Sequence, residues 1–157
     1  MYIKGRLISY GEPLDEVYAI RKAVFQEEQG MTRNMDQDGK DRDAVHVVAY
    51  EVGNESRPVA TGRICLEDGG CRIGKIAVLK EERGKRYGDF VVRMLVNKAF
   101  LSGNRRVTVS AISTARRFYE KIGFRAEGEE YMENGTPHIL MILNEENFCT
   151  ACGCHES

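Results

Sequence analysis

A run of eleven residues between two predicted elements combines glycines with basic side chains, a pattern that suits anion binding. It reads Leu79-Lys80-Glu81-Glu82-Arg83-Gly84-Lys85-Arg86-Tyr87-Gly88-Asp89 and leads into a predicted helix. Free amides at a helix N-terminus, aided by the helix dipole, favour a bound anion. Five basic side chains in and before the run outnumber two acidic ones, for a local net charge of +3: Lys75, Lys80, Arg83, Lys85 and Arg86 against Glu81 and Glu82. The pattern predicts a phosphate-binding loop, and a solvated surface turn is the alternative.

This loop lacks two well-known phosphate-binding fingerprints. The chain contains no Gly-x-x-x-x-Gly-Lys-Ser/Thr run, and no Gly-x-Gly-x-x-Gly run with an acidic residue after a second strand. These absences disfavour a nucleotide hydrolase and a dinucleotide-dependent dehydrogenase.

The segment 26–43 is rich in carboxylates. Six acidic residues against Arg33, Lys40 and Arg42 give it a net charge of −3. Such a field could draw a cationic amine towards a site. A solvated acidic loop is the more ordinary interpretation and is the one we favour from the sequence.

A third group of reactive side chains is crowded into the last nine residues, where Cys149, Cys152, Cys154 and His155 occur. Thiolates and imidazole suit zinc or copper(I). However, a Cys-x-Cys step is tight for a tetrahedral site, and structural zinc sites usually use two separated knuckles. The sequence therefore favours a reactive tail with no metal, and metal binding is the alternative.

Length, composition and charge exclude several broad classes. The 157 residues suit one domain, and a net charge of −1 argues against a dedicated nucleic-acid binder. No apolar run approaches the roughly 18 residues of a membrane span. The N-terminus lacks the apolar core of a secretory signal, and the five cysteines are an odd number, so we expect a cytoplasmic protein with reduced thiols.

The elements that must position these groups follow from hydrophobic periodicity. Strands are predicted at 3–10, 45–52, 59–66, 71–78, 106–111, 124–132 and 139–143, and helices at 13–30, 89–101 and from Ser113 or Thr114 to Ile122. The segment 30–43 is predicted as a long loop with room for a short helix. The strand pair around the helix 89–101 implies a parallel βαβ unit, and Asn134-Gly135 predicts a hairpin.

The expected fold class is α/β: one mixed, mostly antiparallel sheet with a central parallel βαβ unit, flanked by about four helices. We expect a single domain over residues 1–145 and a Cys-rich tail over 146–157.

Two motifs together resemble the signatures of the GNAT superfamily of N-acetyltransferases. The loop Arg83-Gly84-Lys85-Arg86-Tyr87-Gly88 is similar to Arg/Gln-x-x-Gly-x-Gly/Ala, with Arg86 in place of the first patterned glycine. Further on, Ala115-Arg116-Arg117-Phe118-Tyr119-Glu120-Lys121-Ile122-Gly123-Phe124 is similar to Ala-x-x-Phe-Tyr-x-x-x-Gly-Phe. Matches around 20–30, 43–50 and 135–141 extend the resemblance to a subgroup of small uncharacterised bacterial acetyltransferases, over residues 2 to 143.

The resemblance implies a GNAT-like fold whose fourth and fifth strands diverge, with the pantetheine arm of acetyl-CoA, the co-substrate, between them. Backbone groups of Ile76, Ala77 and Val78 would pair with that arm, and the Val78 N–H would stabilise the thioester oxygen during attack. Ser113, which stands where many relatives carry Asn, and Phe118 would also contact the cofactor. The residues expected around the diphosphate are Arg83, Gly84, Lys85, Arg86, Tyr87, Gly88 and Asp89.

The reaction implied by the resemblance is direct transfer of an acetyl group to a primary amine of a small molecule or peptide within a ternary complex. Tyr119 would protonate the departing CoA thiolate, with ring packing alone as the alternative. A base or a water chain must take the amine proton, and Glu28 is our candidate base. For His46 and His138 we favour structural roles.

Other functions stay open at this point. A non-catalytic acyl-CoA sensor of the same fold would accommodate Arg86 and Ser113, and a thiol-based metal or redox protein rests only on the tail. Nucleic-acid binding through residues 83–86 is disfavoured because no aromatic platform accompanies the charge. The sequence determines neither the acceptor nor the oligomeric state, although homodimers are common in the superfamily.

Overall fold

In the part of the chain that the structure describes, seven strands form one mixed sheet in the order β1-β2-β3-β4-β5-β7-β6. The computed structural model describes residues 1–9, 11–67 and 70–148. Within these residues the pair β4–β5 is parallel and every other neighbouring pair is antiparallel. The strands are β1 (Tyr2–Ile8), β2 (Val45–Val52), β3 (Ser56–Glu67), β4 (Gly70–Val78), β5 (Arg106–Ile112), β6 (Arg125–Glu133) and β7 (Thr136–Asn144).

Four α-helices accompany the sheet in the described ranges. They are α1 (Asp15–Arg21), α2 (Arg33–Asp36), α3 (Tyr87–Leu101) and α4 (Arg116–Ile122). A π-helical segment, Lys22–Glu28, continues α1, so the predicted helix 13–30 is an α-helix joined to a wider turn. The short helix α2 lies in the predicted loop, and the Thr32 hydroxyl caps it by accepting from the Met35 amide at 3.2 Å.

The predicted fold class is confirmed, because the sheet contains the expected parallel unit β4–α3–β5. The hairpin β6–β7 turns at Asn134 and Gly135, whose φ angles are 51° and 76°. Two adjacent positive φ angles define a type I′ turn, which the Asn-Gly pair favours. No helix within the described residues is both long and apolar enough to cross a membrane.

Two hydrophobic cores cover opposite faces of the sheet. The larger core packs α3 and α4 on one face, with Val91, Val92 and Leu95 fully buried. The smaller core packs α1 and the π-helical segment on the other face. Because side chains alternate along a strand, Cys71 and Ile73 of β4 belong to the larger core and Arg72 belongs to the opposite face.

The strands β4 and β5 separate partway along their length. Their pairing ends at Ile73 and Val109. Just beyond, β4 contains a β-bulge: Thr61 pairs with Ala77 and Arg63 pairs with Gly74, so β3 has one residue opposite two on β4. A gap therefore opens between the central strands.

Candidate active site

A cavity of about 570 Å³ lies at the gap between β4 and β5, on the sheet face covered by α1 and α2. We call it the cleft cavity. The strands contribute its floor, and the π-helical segment, α2 and the β6–β7 hairpin contribute its walls. Its lining includes Phe25, Gln29, Met31, Met35, Asp38, Lys40, Arg63, Cys65, Arg72, Ile73, Gly74, Lys75, Ile76, Val109, Ser110, Ile112, Tyr119, Glu133, Asn134 and His138.

Tyr119 borders the cleft cavity from α4. Its ring is held edge-to-face between Phe118 and Phe124, with centroid distances of 4.9 and 5.4 Å. The residue is only 6% exposed, and burial raises the pKa of its phenol above the ordinary value. Its hydroxyl has no hydrogen-bond partner within the described residues. Tyr119 is therefore protonated, and its hydroxyl is available to donate a hydrogen bond to a ligand in the cavity.

A second cavity, of about 390 Å³, lies at the N-terminus of α3, and we call it the loop cavity. The first helical bond of α3 runs from the Phe90 amide to the Arg86 carbonyl at 3.1 Å, so the amides of Tyr87, Gly88 and Asp89 have no helical acceptor. The cavity is lined by Val78, Glu82, Arg83, Gly84, Arg86, Tyr87, Gly88, Asp89, Phe118 and Lys121.

The two cavities are neighbours along both β4 and α4. Ile76 and Tyr119 line the cleft cavity, whereas Val78 and Phe118 line the loop cavity. Ser113, which begins the turn between β5 and α4, has a buried hydroxyl with no hydrogen-bond partner among the described atoms. A long ligand that spans both cavities would pass groups able to bind an anion at one end and a reacting centre at the other.

Comparison with known proteins identifies the family that shares this arrangement. Residues 14–145 match the family model described as an acetyltransferase (GNAT) domain. The chain belongs to the GNAT acetyltransferase family. This confirms the resemblance inferred from the two motifs, and it makes the protein a member of an acyltransferase family.

Several named relatives share most of their length with this GNAT protein. The uncharacterized N-acetyltransferase YjcF of Bacillus subtilis (strain 168) is 30% identical over 141 residues, 89% of this chain and 99% of its own. Escherichia coli ElaA has a TM-score of 0.78 and 27% identity, covering 91% of this chain and 100% of its own. An acyl-CoA N-acyltransferase from Pseudomonas aeruginosa has a TM-score of 0.78 and 25% identity, and the match covers 90% of this chain and 99% of that protein's chain. The PaiA N-acetyltransferase of Thermoplasma acidophilum, in complex with coenzyme A, shares the fold at 12% identity and a TM-score of 0.66. This match covers 92% of this chain and 99% of the PaiA chain.

Arg86 occupies the position where the GNAT loop pattern has glycine, and its backbone explains the pattern. Its φ of 68° and ψ of 19° are left-handed, a conformation that a Cβ atom disfavours by about 1–2 kcal/mol. Glycine adopts this conformation without that cost. The Arg86 side chain makes no ion pair or hydrogen bond within the described residues, so its guanidinium is free at the loop cavity.

The basic side chains that the sequence analysis grouped around the loop do not all lie at one site. Lys85 binds Glu82 at 2.9 Å, and it does not line the loop cavity. The Tyr87 hydroxyl donates to Glu51 at 2.7 Å, and burial together with this bond raises its pKa to about 12. Lys75 lies in the cleft cavity instead. The Lys85–Glu82 pair is local to the loop, whereas Glu51 comes from β2 and the position of Lys75 depends on the bulge in β4, so the loop sequence does not show these last two.

Lys121 is a loop-cavity residue that the sequence reasoning missed. It comes from α4, three residues after Phe118, and has no ion-pair partner in the described ranges. Residues three apart share a helix face. Once Phe118 is assigned to the cofactor site, this spacing is the signal that points to Lys121.

The structure does not support Glu28 as a general base. Both of its carboxylate oxygens accept from the Arg83 guanidinium at 2.6 Å, and this pairing lowers the pKa of Glu28. Glu28 also does not line the cleft cavity, although its neighbours Phe25 and Gln29 do. A carboxylate that is held by a cation in this way accepts a proton poorly.

The acidic segment is neither a solvated loop nor a free negative field. Arg21 binds Asp36 at 2.8 Å and Asp41 at 2.7 Å, and all three side chains are buried. Arg63 binds Asp38 at 2.6 Å and Asp41 at 2.9 Å. The hydrogen bonds from Arg63 hold the pKa of Asp38 far below its usual range. The sequence interpretation of this segment is therefore corrected for Asp36, Asp38 and Asp41, whose carboxylates hold the segment to α1 and β3.

The two histidines occupy different environments. His46 is buried, and its Nε2 lies 3.0 Å from the Asp41 carbonyl. Burial lowers its pKa, so it is neutral and structural, as favoured from the sequence. His138 Nδ1 lies 2.8 Å from the Thr136 carbonyl, but His138 also lines the cleft cavity, which the sequence did not indicate.

The other predicted site residues are a buried alanine of β4 and the cysteines and histidine of the tail. Ala77 is buried in the core beneath α1, so only its backbone is available to a ligand. Cys149, Cys152, Cys154 and His155 lie outside the described residues. In the part of the chain that the structure describes, no cluster of three or more metal-ligating side chains occurs.

Proposed function

We propose that this protein transfers an acetyl group from acetyl-CoA to a primary amine of a small molecule or peptide, by direct attack in a ternary complex. One observation carries the proposal. The pairing of β4 and β5 stops at Ile73 and Val109, and the wall of the resulting cleft carries the Tyr119 hydroxyl, which has no hydrogen-bond partner among the residues that the structure describes. Membership of the GNAT family supports acyl transfer as the reaction class.

The residues present fit an acyl-CoA. The loop cavity offers the free amides at the start of α3 together with Arg86 and Lys121, two cations that have no partner among the described residues, and these groups suit a diphosphate. The buried Ser113 hydroxyl, which has no partner in the described part of the chain, suits a polar group of the pantetheine arm. The coenzyme A complex of the fold neighbour PaiA supports the same use of this fold.

The backbone of Val78 is oriented to help the reaction. The next amide, Leu79 N–H, donates to Val59 of β3 at 2.9 Å, and the Val78 carbonyl accepts from Arg83 Nε at 3.2 Å. Because successive residues of a strand present their backbone groups to opposite sides, the Val78 N–H faces away from β3, where β5 has diverged. In this proposal it stabilises the negative charge that develops on the thioester oxygen.

The chemistry then needs two proton movements. The amine nitrogen attacks the thioester carbonyl, the C–S bond breaks, and the CoA thiolate takes a proton from Tyr119. The amine loses its proton to water in the open cavity, and water returns a proton to the Tyr119 phenolate to complete the cycle. Glu28 is not the base in this proposal, and its role is to hold Arg83 across the loop.

An amine-dependent release of coenzyme A tests the proposal. Purified protein with acetyl-CoA is screened against a panel of primary amines, free thiol is measured, and the acetylated amine is confirmed by mass spectrometry. Amine-dependent release supports the proposal. Calorimetric binding of acetyl-CoA without any transfer would instead favour the non-catalytic sensor, which the arginine at the patterned glycine position would accommodate. A deletion of residues 149–157 should leave acetyl-CoA binding intact, since loss of binding would point to a function of the tail.

A further inference from the structure

The charges that line the cleft cavity are predominantly positive. Four cationic side chains face two carboxylates, for a formal net charge of +2: Lys40, Arg63, Arg72 and Lys75 against Asp38 and Glu133. Arg63 is itself held by hydrogen bonds to Asp38 and Asp41, so Arg72 and Lys75 of β4 are the cations relevant to a ligand. This balance is the opposite of the acidic field that the sequence analysis left as the alternative for the segment 26–43.

Arg72 is the cation that most needs a partner. It is half-buried on β4, between Cys65 of β3 and Thr108 of β5, and it lies on the cavity face of the sheet. It makes no hydrogen bond or ion pair within the described residues. A guanidinium that has lost part of its hydration without gaining a counter-ion is costly, and its planar fork of donors matches a carboxylate.

The bulge in β4 brings a second cation to the same face. Strand alternation would place Lys75 on the α3 side, but its φ of 52° turns it towards the cavity. Its Nζ donates to the Met35 carbonyl at 3.0 Å and lies 5.5 Å from the centre of the Phe25 ring. A left-handed non-glycine residue is strained, and such strain concentrates at functional sites.

The opposite wall carries the cavity's remaining acid. Ser110 donates to Glu133 at 2.9 Å, and His138 Nε2 lies 3.8 Å from the same carboxylate. This wall therefore suits an ammonium group, whereas the β4 wall suits an anion.

We infer that the acceptor is an amine that also carries a carboxylate, with the carboxylate bound by Arg72 and the amine entering beside Glu133. The inference rests on the proposed function and specifies its substrate class. It selects amino acids and related amino-carboxylates over polyamines and simple amines.

The test compares acceptors that differ only in the acidic group. Amino acids, their carboxamides and their decarboxylated amines are compared by kcat/KM for CoA release. We expect the carboxylate forms to be preferred by at least about tenfold, the usual minimum for a hydrogen bond to a charged group. Equal kcat/KM values for an amino acid, its carboxamide and its decarboxylated amine would overturn the inference and leave the proposed function standing. No transfer to any amine would overturn both.

Variants assign the preference to a residue. Arg72→Gln should remove the preference mainly through KM, and Arg72→Lys should restore part of it. Arg106→Gln is the matched control, because Arg106 is exposed on the neighbouring strand and does not line the cavity. Thermal melts establish that each variant is folded. A preference that persists unchanged in folded Arg72→Gln would overturn the assignment to Arg72.

Discussion

Replacing Tyr119 by Phe separates catalysis from packing more cleanly than any other single change in the cleft. The substitution removes a hydroxyl that has no hydrogen-bond partner within the described residues and keeps the ring between Phe118 and Phe124. The free energy of unfolding should therefore change by less than about 0.5 kcal/mol. Loss of a positioned acid lowers turnover by about 10² to 10⁴, which corresponds to roughly 3–5 kcal/mol of barrier.

The assay measures CoA release under saturating acetyl-CoA and amine, with calorimetry for acetyl-CoA affinity and urea denaturation for stability. Because burial keeps the Tyr119 phenol protonated, the deficit should be constant between about pH 6 and pH 9. Tyr2→Phe is the matched control, since Tyr2 is 63% exposed on β1, at the edge of the sheet. Wild-type turnover in a folded, acetyl-CoA-binding Tyr119→Phe protein would refute the role of the phenol as the acid.

Three further substitutions test the structure around the site. Arg86→Gly should raise the free energy of unfolding by about 0.5–1 kcal/mol, because relief of left-handed strain exceeds the entropy cost of glycine. The same variant should bind acetyl-CoA more weakly in calorimetry. An unchanged melting temperature would contradict the strain at Arg86. Gly123→Ala should lower the free energy of unfolding, measured by urea denaturation, by at least about 2 kcal/mol. The reason is that φ is 122° and the new Cβ would lie 2.2 Å from the Asn147 carbonyl oxygen. A variant as stable as the wild type would contradict this packing. Because the pKa of Asp38 is depressed in the folded protein, ionised Asp38 contributes to the free energy of unfolding above the ordinary carboxyl pKa near 4. This contribution is lost as the pH falls further. In Arg63→Met, which removes the cause of the depression, urea midpoints measured from pH 6 downwards should fall less steeply, and an unchanged slope would argue against the pair.

Local sequence determined the elements and much of the loop cavity. The Asn134-Gly135 turn, the helix α3 and the positions of the strands along the chain each depend on neighbouring residues, whose conformational preferences are readable from the sequence. The same holds for the residues at the start of α3, which line one cavity because a helix terminus gathers consecutive residues. The left-handed conformation of Arg86 also explains why a glycine is the patterned residue there.

Tertiary structure alone decided which charges are free and which are bound. Glu28 meets Arg83, and Asp38 meets Arg63, only because distant segments are brought together by the sheet. The bulge in β4 reverses the side to which Lys75 points, and strand alternation places Arg72 on the face of the sheet opposite α3, where it lines the cleft cavity. A charge count along the sequence treats every ionic side chain alike, whereas the field at a site depends on the ones that the fold leaves without a partner.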